Sequence, residues 1–258
     1  MMTLRLPASL AVLVALTSHA ASAADNLVLR VHTKIEYAVN RPKFLGMGQE
    51  RVDVSSLLRG SGFHLRDGDR DLVVTAAHMV VGAWPVESLT VDGKHLVIAP
   101  PTVTLATATL RIRLGDVSIW PTSLLVDVDR DVAVLTVDPS NTALLDVRRL
   151  ELAQDPVALG QDVRAWGFPG TAAPQLSGFA AVSALSEGFY VLAGSLGAGY
   201  SGGPVVRGEV VTGLVSRDDG KQARVVSVDV IERLIERSRT DAVAYRDGMQ
   251  VAEVANRK

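Results

Sequence analysis

Apolar and polar residues alternate in many short runs along this chain. Residues 102–107, with the sequence Thr-Val-Thr-Leu-Ala-Thr, repeat with a period of two, which is typical of a β-strand with one buried face. Turn-forming Gly, Pro, Asp and Asn residues separate such runs about every ten residues. Runs of the same kind occupy residues 27–31, 61–65, 72–75, 95–98, 132–137, 162–166, 210–215 and 224–228. The pattern predicts an all-β fold, either a barrel or a sandwich.

One segment near the C-terminus repeats with a helical period instead. Asp229 and Glu232 have the spacing of a capping box, and apolar residues at 230, 231, 234 and 235 form one face after it. We predict a helix that ends at residue 238 and is followed by a polar tail over residues 239–258. Turn residues at 139–142 mark the best internal boundary, so the strands divide between segments 24–142 and 143–238.

The first 23 residues have the features of a secretory signal peptide. Arg5 supplies a positive charge, residues 10–16 form an apolar run, and Ala21-Ser22-Ala23 offers the small residues of a cleavage site. The apolar run is too short to span a bilayer, which takes about 20 residues. We therefore expect a bacterial protein that is periplasmic or secreted, with no membrane span once the signal is removed.

Composition excludes several classes of function. The chain has no cysteine, so it has neither a disulfide framework nor a thiolate metal site nor a cysteine nucleophile. Its 26 basic and 28 acidic side chains leave a net charge of −2. Without an overall basic field we expect no nucleic-acid partner.

A glycine-rich stretch, Gly199-Tyr-Ser-Gly-Gly203, places Ser201 where it could act as a nucleophile. It fits the G-x-S-x-G motif of the α/β-hydrolases, in which the catalytic histidine follows the serine. Every histidine of this chain precedes Ser201, so that order is excluded. A serine nucleophile needs a histidine base and an orienting acid, which leaves the orders His, Asp, Ser and Asp, His, Ser. The strand-rich pattern disfavours the second order, whose fold is rich in helices.

His78 has the most distinctive surroundings of the five histidines. His19 lies in the predicted signal peptide, and His32, His64 and His95 lie in strand-like runs without further context. His78 instead closes an apolar strand that ends in two alanines, and such small residues let an imidazole sit tightly at the end of a strand.

Three motifs in chain order resemble those of the trypsin-like serine proteases. Thr75-Ala-Ala-His78 resembles their histidine motif, Asp131-Val-Ala-Val-Leu135 their aspartate motif, and Gly199-Tyr-Ser-Gly-Gly-Pro204 their serine motif. Gly60-Ser-Gly-Phe63 and Trp166-Gly-Phe-Pro-Gly170 are similar to stretches of the HtrA/DegP-like branch. The resemblance covers residues 50–238, and we expect a protease domain without a PDZ domain after the helix.

The resemblance implies two antiparallel six-stranded β-barrels with a C-terminal helix. It implies that Ser201 attacks the substrate carbonyl, that His78 transfers the proton and that Asp131 orients His78. The backbone N–H groups of Gly199 and Ser201 would form the oxyanion hole, where glycine allows a backbone conformation that other residues rarely adopt.

The resemblance also locates a substrate pocket. Its floor would be Ser195, and one wall would be formed by Gly213, Leu214, Val215 and Ser216. Because no acid stands at the floor, we expect cleavage after small or medium apolar residues. Tyr200 replaces the Asp of digestive enzymes and the Asn usual in the HtrA branch, so we expect no ion pair with a newly cut N-terminus.

The function implied is that of a secreted serine endopeptidase acting on protein or peptide substrates, with no cofactor and no metal. The alternative is a non-catalytic or conditionally active protein-binding member of the same fold, since fold alone does not determine function. An esterase that uses the same site is a third hypothesis, because acyl transfer to serine serves esters and amides alike.

Overall fold

A computed structural model describes residues 27–42, 49–82, 88–91, 94–97, 103–114, 116–145, 147–170, 173–246 and 249–250. The predicted signal peptide lies outside the described residues. Within them, two large and mostly antiparallel sheets account for most of the residues. None of the helices in the described part of the chain is both long and apolar enough to cross a membrane.

In the described ranges the chain forms nineteen strands and two α-helices, numbered here in chain order. The first half contains β1 (Leu29–Pro42), β2 (Gln49–Asp67), β3 (Arg70–Thr75), α1 (His78–Val81), β4 (Ser88–Val91), β5 (Lys94–Val97), β6 (Val103–Leu114), β7 (Val117–Ile119), β8 (Pro121–Asp127) and β9 (Val132–Val137). The second half contains β10 (Glu151–Leu152), β11 (Asp162–Gly167), β12 (Gln175–Leu176), β13 (Ala180–Ser186), β14 (Phe189–Ala193), β15 (Pro204–Arg207), β16 (Val210–Asp218), β17 (Gln222–Ser227), α2 (Val228–Asp241), β18 (Val243–Ala244) and β19 (Met249–Gln250).

The first half folds into a half-barrel sheet. Its strand order is β18-β8-β9-β3-β2-β1-β6-β19, and β7 also pairs with β6. The two outer strands, β18 and β19, come from the C-terminal end of the chain. Phe63, Leu72, Leu110 and Leu135 are almost fully buried in this sheet. Its central strands β3 and β9 are buried along nearly their whole length, on both faces. A short 3-10 helix at Thr142–Leu144 lies in the linker to the second half.

The second half forms a closed barrel of six strands. The ring runs β16-β15-β11-β13-β14-β17, and β17 pairs back onto β16. The short strands β10 and β12 add to β16 and β11. The predicted all-β class with a C-terminal helix is confirmed.

One apolar cluster extends across the two halves, and the closed barrel has a second cluster of its own. Val206, Leu214 and Val226 of the closed barrel pack in the same cluster as the buried residues of the first sheet. Helix α2 contributes Ile231 and Leu234 to this cluster, so the apolar face that the sequence predicts is buried between the halves. This shared core brings together residues that are far apart in the chain.

The C-terminus differs from its prediction in two ways. Ser227, rather than Asp229, occupies the position before the first helical residue, and helix α2 continues to Asp241. The expected polar tail contributes strand β18, which pairs with β8, and strand β19, which pairs with β6. Tyr245 anchors the tail, since its hydroxyl accepts from the N–H of Leu110 at 2.8 Å.

Candidate active site

His78 is presented at the point where a buried strand becomes a helix. Strand β3 ends at Thr75, and the small side chains of Ala76 and Ala77 are fully buried before α1 begins at His78 itself. The imidazole is only partly buried, with 22% of its side chain exposed. The alanines therefore hold the backbone tightly while the ring faces outward.

Asp131 stands at the turn before β9 and faces His78. It is the one non-glycine residue with a positive φ, 55°, among the described residues, a conformation that Asp tolerates better than most side chains. Its two carboxylate oxygens each lie 3.0 Å from His78 Nδ1. The backbone N–H of His78 also donates to Asp131 Oδ1, at 3.0 Å. Asp131 thus holds both the ring and the backbone of the histidine.

A third group completes the surroundings of Asp131. Ser216, on β16 of the closed barrel, donates its hydroxyl to Asp131 Oδ2 at 2.5 Å. Burial of Asp131 opposes ionisation, but the hydrogen bonds and charge of His78 and the hydroxyl of Ser216 outweigh it and lower the pKa of Asp131. Asp131 is therefore an anion at neutral pH, even though the residue is buried and only 7% exposed.

Ser201 sits on a tight turn that packs against the first sheet. Its backbone oxygen accepts from the N–H of Ser61 at 2.8 Å, and Gly202 donates to Val215 O at 2.8 Å. Gly202 has a φ of 81°, and a Cβ there would lie 2.1 Å from Ser61 O and 2.3 Å from Thr75 Oγ1. Only glycine fits, and it brings the serine turn onto the end of the histidine strand.

The serine and histidine side chains are not joined directly. Ser201 and His78 both lie in the described part of the chain, and no hydrogen bond links the Ser201 hydroxyl to the imidazole. In serine and histidine pairs of this kind the bond often tightens only when substrate is bound. The structure therefore brings His78 and Asp131 into contact and places the Ser201 turn beside them.

The two N–H groups predicted to form an oxyanion hole are unpaired. Within the described residues, neither Gly199 N–H nor Ser201 N–H has a hydrogen-bond acceptor. Gly199 has a φ of 97°, and a Cβ there would lie 2.1 Å from Phe168 O. Its own carbonyl accepts from Phe168 N–H at 3.0 Å and from the Ser61 hydroxyl at 2.7 Å. Both donors are thus available to an anion.

Asp218 holds the other side of this loop, and sequence reasoning missed it. One of its oxygens accepts from the N–H of Leu196 at 2.5 Å and of Gly197 at 2.7 Å. The other accepts from Gly220 N–H at 2.8 Å, and the hydroxyl of Ser195 donates to both oxygens at 2.8 Å. Burial opposes ionisation, but these donors outweigh it and lower the pKa of Asp218. Asp218 thus fixes the loop just before the Gly199 N–H, and the hydrogen bonds to Gly199 O fix it just after.

The predicted pocket residues fall into two groups. Ser195 is exposed and lies against the Asp218 carboxylate, so an acid does stand at the predicted floor. The predicted wall, formed by Gly213, Leu214, Val215 and Ser216, is buried in β16. Val215 supports the serine turn through its backbone, because it accepts from Gly202 and donates to Gly203 O at 3.0 Å.

Tyr200 packs inward instead of forming a polar contact. Its side chain is buried with the apolar core of the closed barrel, and burial raises the pKa of its hydroxyl. Gly167 makes room for it, since a Cβ there would lie 2.7 Å from the ring. Because position 200 has no acid, the loop before Ser201 is held in other ways. The Asp218 carboxylate accepts hydrogen bonds from it, and the Tyr200 side chain is buried in the barrel.

A comparison with protein families decides which family this site belongs to. The model of the trypsin-like peptidase domain matches residues 60–213, which is more than half of the chain. The chain belongs to the trypsin-like peptidase family. Its predicted identity as a serine peptidase is confirmed at this level. By sequence, the peptidase has no significant match among curated proteins.

Solved structures support the same fold for the peptidase. The active form of the Rv3671c protease from M. tuberculosis matches with a TM-score of 0.54 and 19% identity, over 96% of each chain. Deg5 matches with a TM-score of 0.53 and 16% identity, over 91% of this chain and 97% of that one. A serine endoprotease from Yersinia pestis matches with a TM-score of 0.51 and 16% identity, over 92% of this chain and 69% of that one. The expected likeness to the HtrA/DegP-like branch is therefore confirmed for the fold.

Proposed function

We propose that the peptidase is a serine endopeptidase in which Ser201 is the nucleophile, His78 the general base and Asp131 the residue that orients His78. The observation that carries the proposal is the contact of His78 Nδ1 with both Asp131 oxygens at 3.0 Å. An anionic Asp131 keeps the proton on Nδ1, which leaves Nε2 free to accept one.

The reaction proceeds through an acyl-enzyme. Ser201 Oγ attacks the carbonyl carbon of the scissile bond while His78 Nε2 takes the hydroxyl proton. The N–H groups of Gly199 and Ser201 stabilise the negative charge that forms on the carbonyl oxygen. His78 then protonates the leaving amine, and a water molecule, deprotonated by His78, releases the second product. Asp131 stabilises the positive charge that His78 carries in both halves of the reaction.

The proposed substrates are unfolded protein segments or peptides, cleaved after small or medium apolar residues. Asp218 accepts hydrogen bonds from Leu196, Gly197 and Gly220, so its charge is directed into the loop. That use of the carboxylate supports a pocket without selectivity for basic side chains. We also propose that the peptidase acts outside the cytoplasm, on the strength of the signal peptide predicted from the sequence.

Covalent labelling of the full mature chain tests this function. A fluorophosphonate probe should label the wild type at Ser201, because the probe reacts with an activated serine and mimics the tetrahedral intermediate. Peptide mass spectrometry locates the label. The variant His78→Ala should lose it, since the serine then has no base. Label on wild type at another residue, or undiminished label in His78→Ala, would sink the proposal.

A non-catalytic or conditionally active binding protein is the second candidate. The observation that favours it is the missing hydrogen bond between Ser201 and His78 in this structure. The Rv3671c protease has been solved in an active and an inactive form, so both states occur on this fold. Absence of probe label on the folded wild type, together with retention of a denatured protein on a column of the peptidase, would favour this candidate.

We further expect Asp218 to act as a positioning residue for the oxyanion hole. The variant Asp218→Ala should lower kcat by about 10²-fold with a small change in KM, because the loop that carries the Gly199 N–H loses its anchor. Asp218→Asn, which keeps one acceptor oxygen, should lie between Asp218→Ala and wild type. Kinetics on a chromogenic ester substrate measure both constants.

The neighbouring Asp219 supplies the matched control for Asp218. Asp219 is exposed and accepts only from the N–H groups of Lys221 and Gln222 in its own turn. Asp219→Ala should leave kcat within about twofold of wild type. Equal losses in the Asp218 and Asp219 variants, or a loss confined to KM, would contradict the positioning role.

A further inference from the structure

The first sheet carries a row of cations on the face opposite to its core. Along β1 the side chains alternate, so Val31 and Thr33 point inward while Arg30, His32 and Lys34 point outward. Neighbouring strands place more cations on the same face. In the strand register, Arg30 lies opposite Arg113, and His32 lies opposite Arg111 on one side and Arg59 on the other. We call this set the basic face: Arg30, His32, Lys34, Arg59, Arg111 and Arg113.

Three arginines of the basic face form no ion pair with a described residue. Lys34 forms an ion pair with Glu36 at 2.7 Å. In the described part of the chain, Arg59, Arg111 and Arg113 have no acid within ion-pair distance. Like charges directly opposite each other in a sheet are unfavourable. The fold, and not an ion pair with a described residue, therefore holds the guanidinium groups of Arg59, Arg111 and Arg113 on this face.

Arg113 carries an unsatisfied donor. Its Nε is buried away from solvent and has no hydrogen-bond partner among the described residues. Buried polar groups in folded proteins are nearly always hydrogen-bonded, and an exception calls for an explanation such as a missing ion. An acceptor oxygen from a ligand would satisfy this donor.

The pKa values of Arg30 and His32 also show that positive charges crowd together on the basic face. Burial, followed by repulsion from Arg113 and Arg59, lowers the pKa of Arg30 and of His32. An anion placed among these side chains would offset the repulsion, which is the second cause of both shifts after burial.

A groove of about 350 Å³ opens on the basic face. Lys34, Arg111 and Arg113 line it from two strands, and the side chains of Thr109 and Ser118 lie beside them. Its size exceeds that of a single inorganic anion and falls in the range of small-molecule sites. Guanidinium groups pair bidentately with phosphate, and the hydroxyl groups can donate to the remaining oxygens.

We propose that this groove binds a phosphorylated ligand of diphosphate or phosphorylated-headgroup size, independently of the peptidase active site. Arg111 and Arg113 would hold the phosphate oxygens, and Arg113 Nε would gain the acceptor it lacks. Lys34 would neutralise further charge at the end of the groove. Two sources can supply such a group: a soluble phosphorylated compound or the headgroup of an anionic lipid.

Binding to the full mature chain tests the proposal without reference to activity. Titration calorimetry with pyrophosphate at low salt should give saturable one-to-one binding, and pyrophosphate should raise the thermal midpoint of the wild type. The double variant Arg111→Gln/Arg113→Gln should weaken affinity at least about tenfold, because it removes both guanidinium groups. Arg233→Gln/Arg237→Gln, a matched loss of two positive charges on helix α2, should bind as wild type does.

A second arm distinguishes the sources of the phosphate group. Co-sedimentation is measured with phosphatidylcholine vesicles, with and without phosphatidylglycerol. Binding of pyrophosphate alone supports a soluble ligand, whereas arginine-dependent sedimentation with the anionic vesicles supports a lipid headgroup. If the double variant proves unfolded by circular dichroism, the single variants Lys34→Gln and Arg111→Gln replace it, because both side chains line the groove. Binding by none of the probes, or binding that is unchanged in the variants, would overturn the proposal.

Discussion

Replacement of Ser201 by alanine should abolish proteolysis, with kcat falling by about 10⁶-fold, as for the nucleophile of other serine proteases. The reason is that acylation has no other hydroxyl in place, since the turn that presents Ser201 is anchored by the N–H of Ser61 and by Val215 O. Hydrolysis of a fluorescent casein and of a chromogenic ester measures the loss. The same variant should keep its far-ultraviolet circular dichroism, because the hydroxyl makes no hydrogen bond in the described structure.

An exposed serine of the closed barrel is the control. Ser183 lies on β13 and donates only to Val191 O, at 3.2 Å. Ser183→Ala should leave both assays within about twofold of wild type. Proteolysis that survives in Ser201→Ala would mean that another residue, or a contaminant, carries the activity, and the proposed mechanism would then fall. Loss of casein hydrolysis with ester hydrolysis intact would mean that the two reactions use different residues.

The second large effect is expected for Asp131→Asn. By analogy with triads in which this change has been studied, kcat should fall by about 10⁴-fold while KM changes little. Asparagine keeps the size of the side chain but can donate to His78 Nδ1, which favours the tautomer with its proton on Nε2, where the base must accept one. It also leaves the charge that develops on His78 without a counter-charge. Steady-state kinetics on the ester substrate resolve kcat from KM.

The exposed Asp129, in the same turn, provides the control for Asp131. Asp129→Asn should be close to wild type in both constants, because no hydrogen bond or ion pair of Asp129 occurs within the described residues. If both variants lost activity equally, the effect would come from the turn and not from the contact with His78. If Asp131→Asn kept its activity, His78 would be oriented by some other group.

The lowered pKa of Asp131 has a consequence for stability. A group whose pKa is lower in the folded state than its unfolded value of about 3.9 stabilises the fold at higher pH. That stabilisation is lost as the pH falls through the folded pKa. The free energy of unfolding of Asp131→Asn should therefore depend less on pH in this acidic range than that of the wild type.

Local patterns were sufficient to predict much of the fold. Short apolar runs such as 72–75, 132–137 and 210–215 depend only on neighbours within a strand, and these runs lie in β3, β9 and β16. The expected alternation was wrong for them, because all three strands are buried on both faces. The apolar face of α2 was read in the same way. The prediction of Asp229 as the capping residue was wrong. Asp229 and Ser227 both suit that position, and the choice between them depends on where β17 ends.

Order along the chain also located the motifs of the site. The positions of the histidines relative to Ser201 excluded one hydrolase class, and the alanines before His78 predicted a tightly packed turn that the structure contains. Ser61 belonged to a stretch that the sequence singled out, although its two contacts with the serine loop were not predicted. Those contacts join β2 to a loop of the other barrel.

The network around the site depended on contacts that no local pattern records. Ser216 reaches Asp131 across the two halves, and Asp218 holds Leu196 and Gly197 from the far side of the loop. An Asp-Asp-Gly turn at 218–220 reads from the sequence as an ordinary surface turn. Hydrogen bonds between residues about twenty positions apart, or more, depend on how the barrel closes, so the floor of the pocket could not be judged from Ser195 alone.

The sequence by itself determined the strand-rich class, the C-terminal helix, the family and the three motifs, because each depends on residue types at short spacings. Only the tertiary structure decided that the first sheet is a half-barrel, that Asp131 shares its charge between His78 and Ser216, and that Asp218 anchors the loop before Ser201. It alone brought the cations of β1, β2 and β6 onto one face. The physical reason is that strand register and barrel closure bring distant residues within hydrogen-bond distance, and these depend on the packing of the whole core.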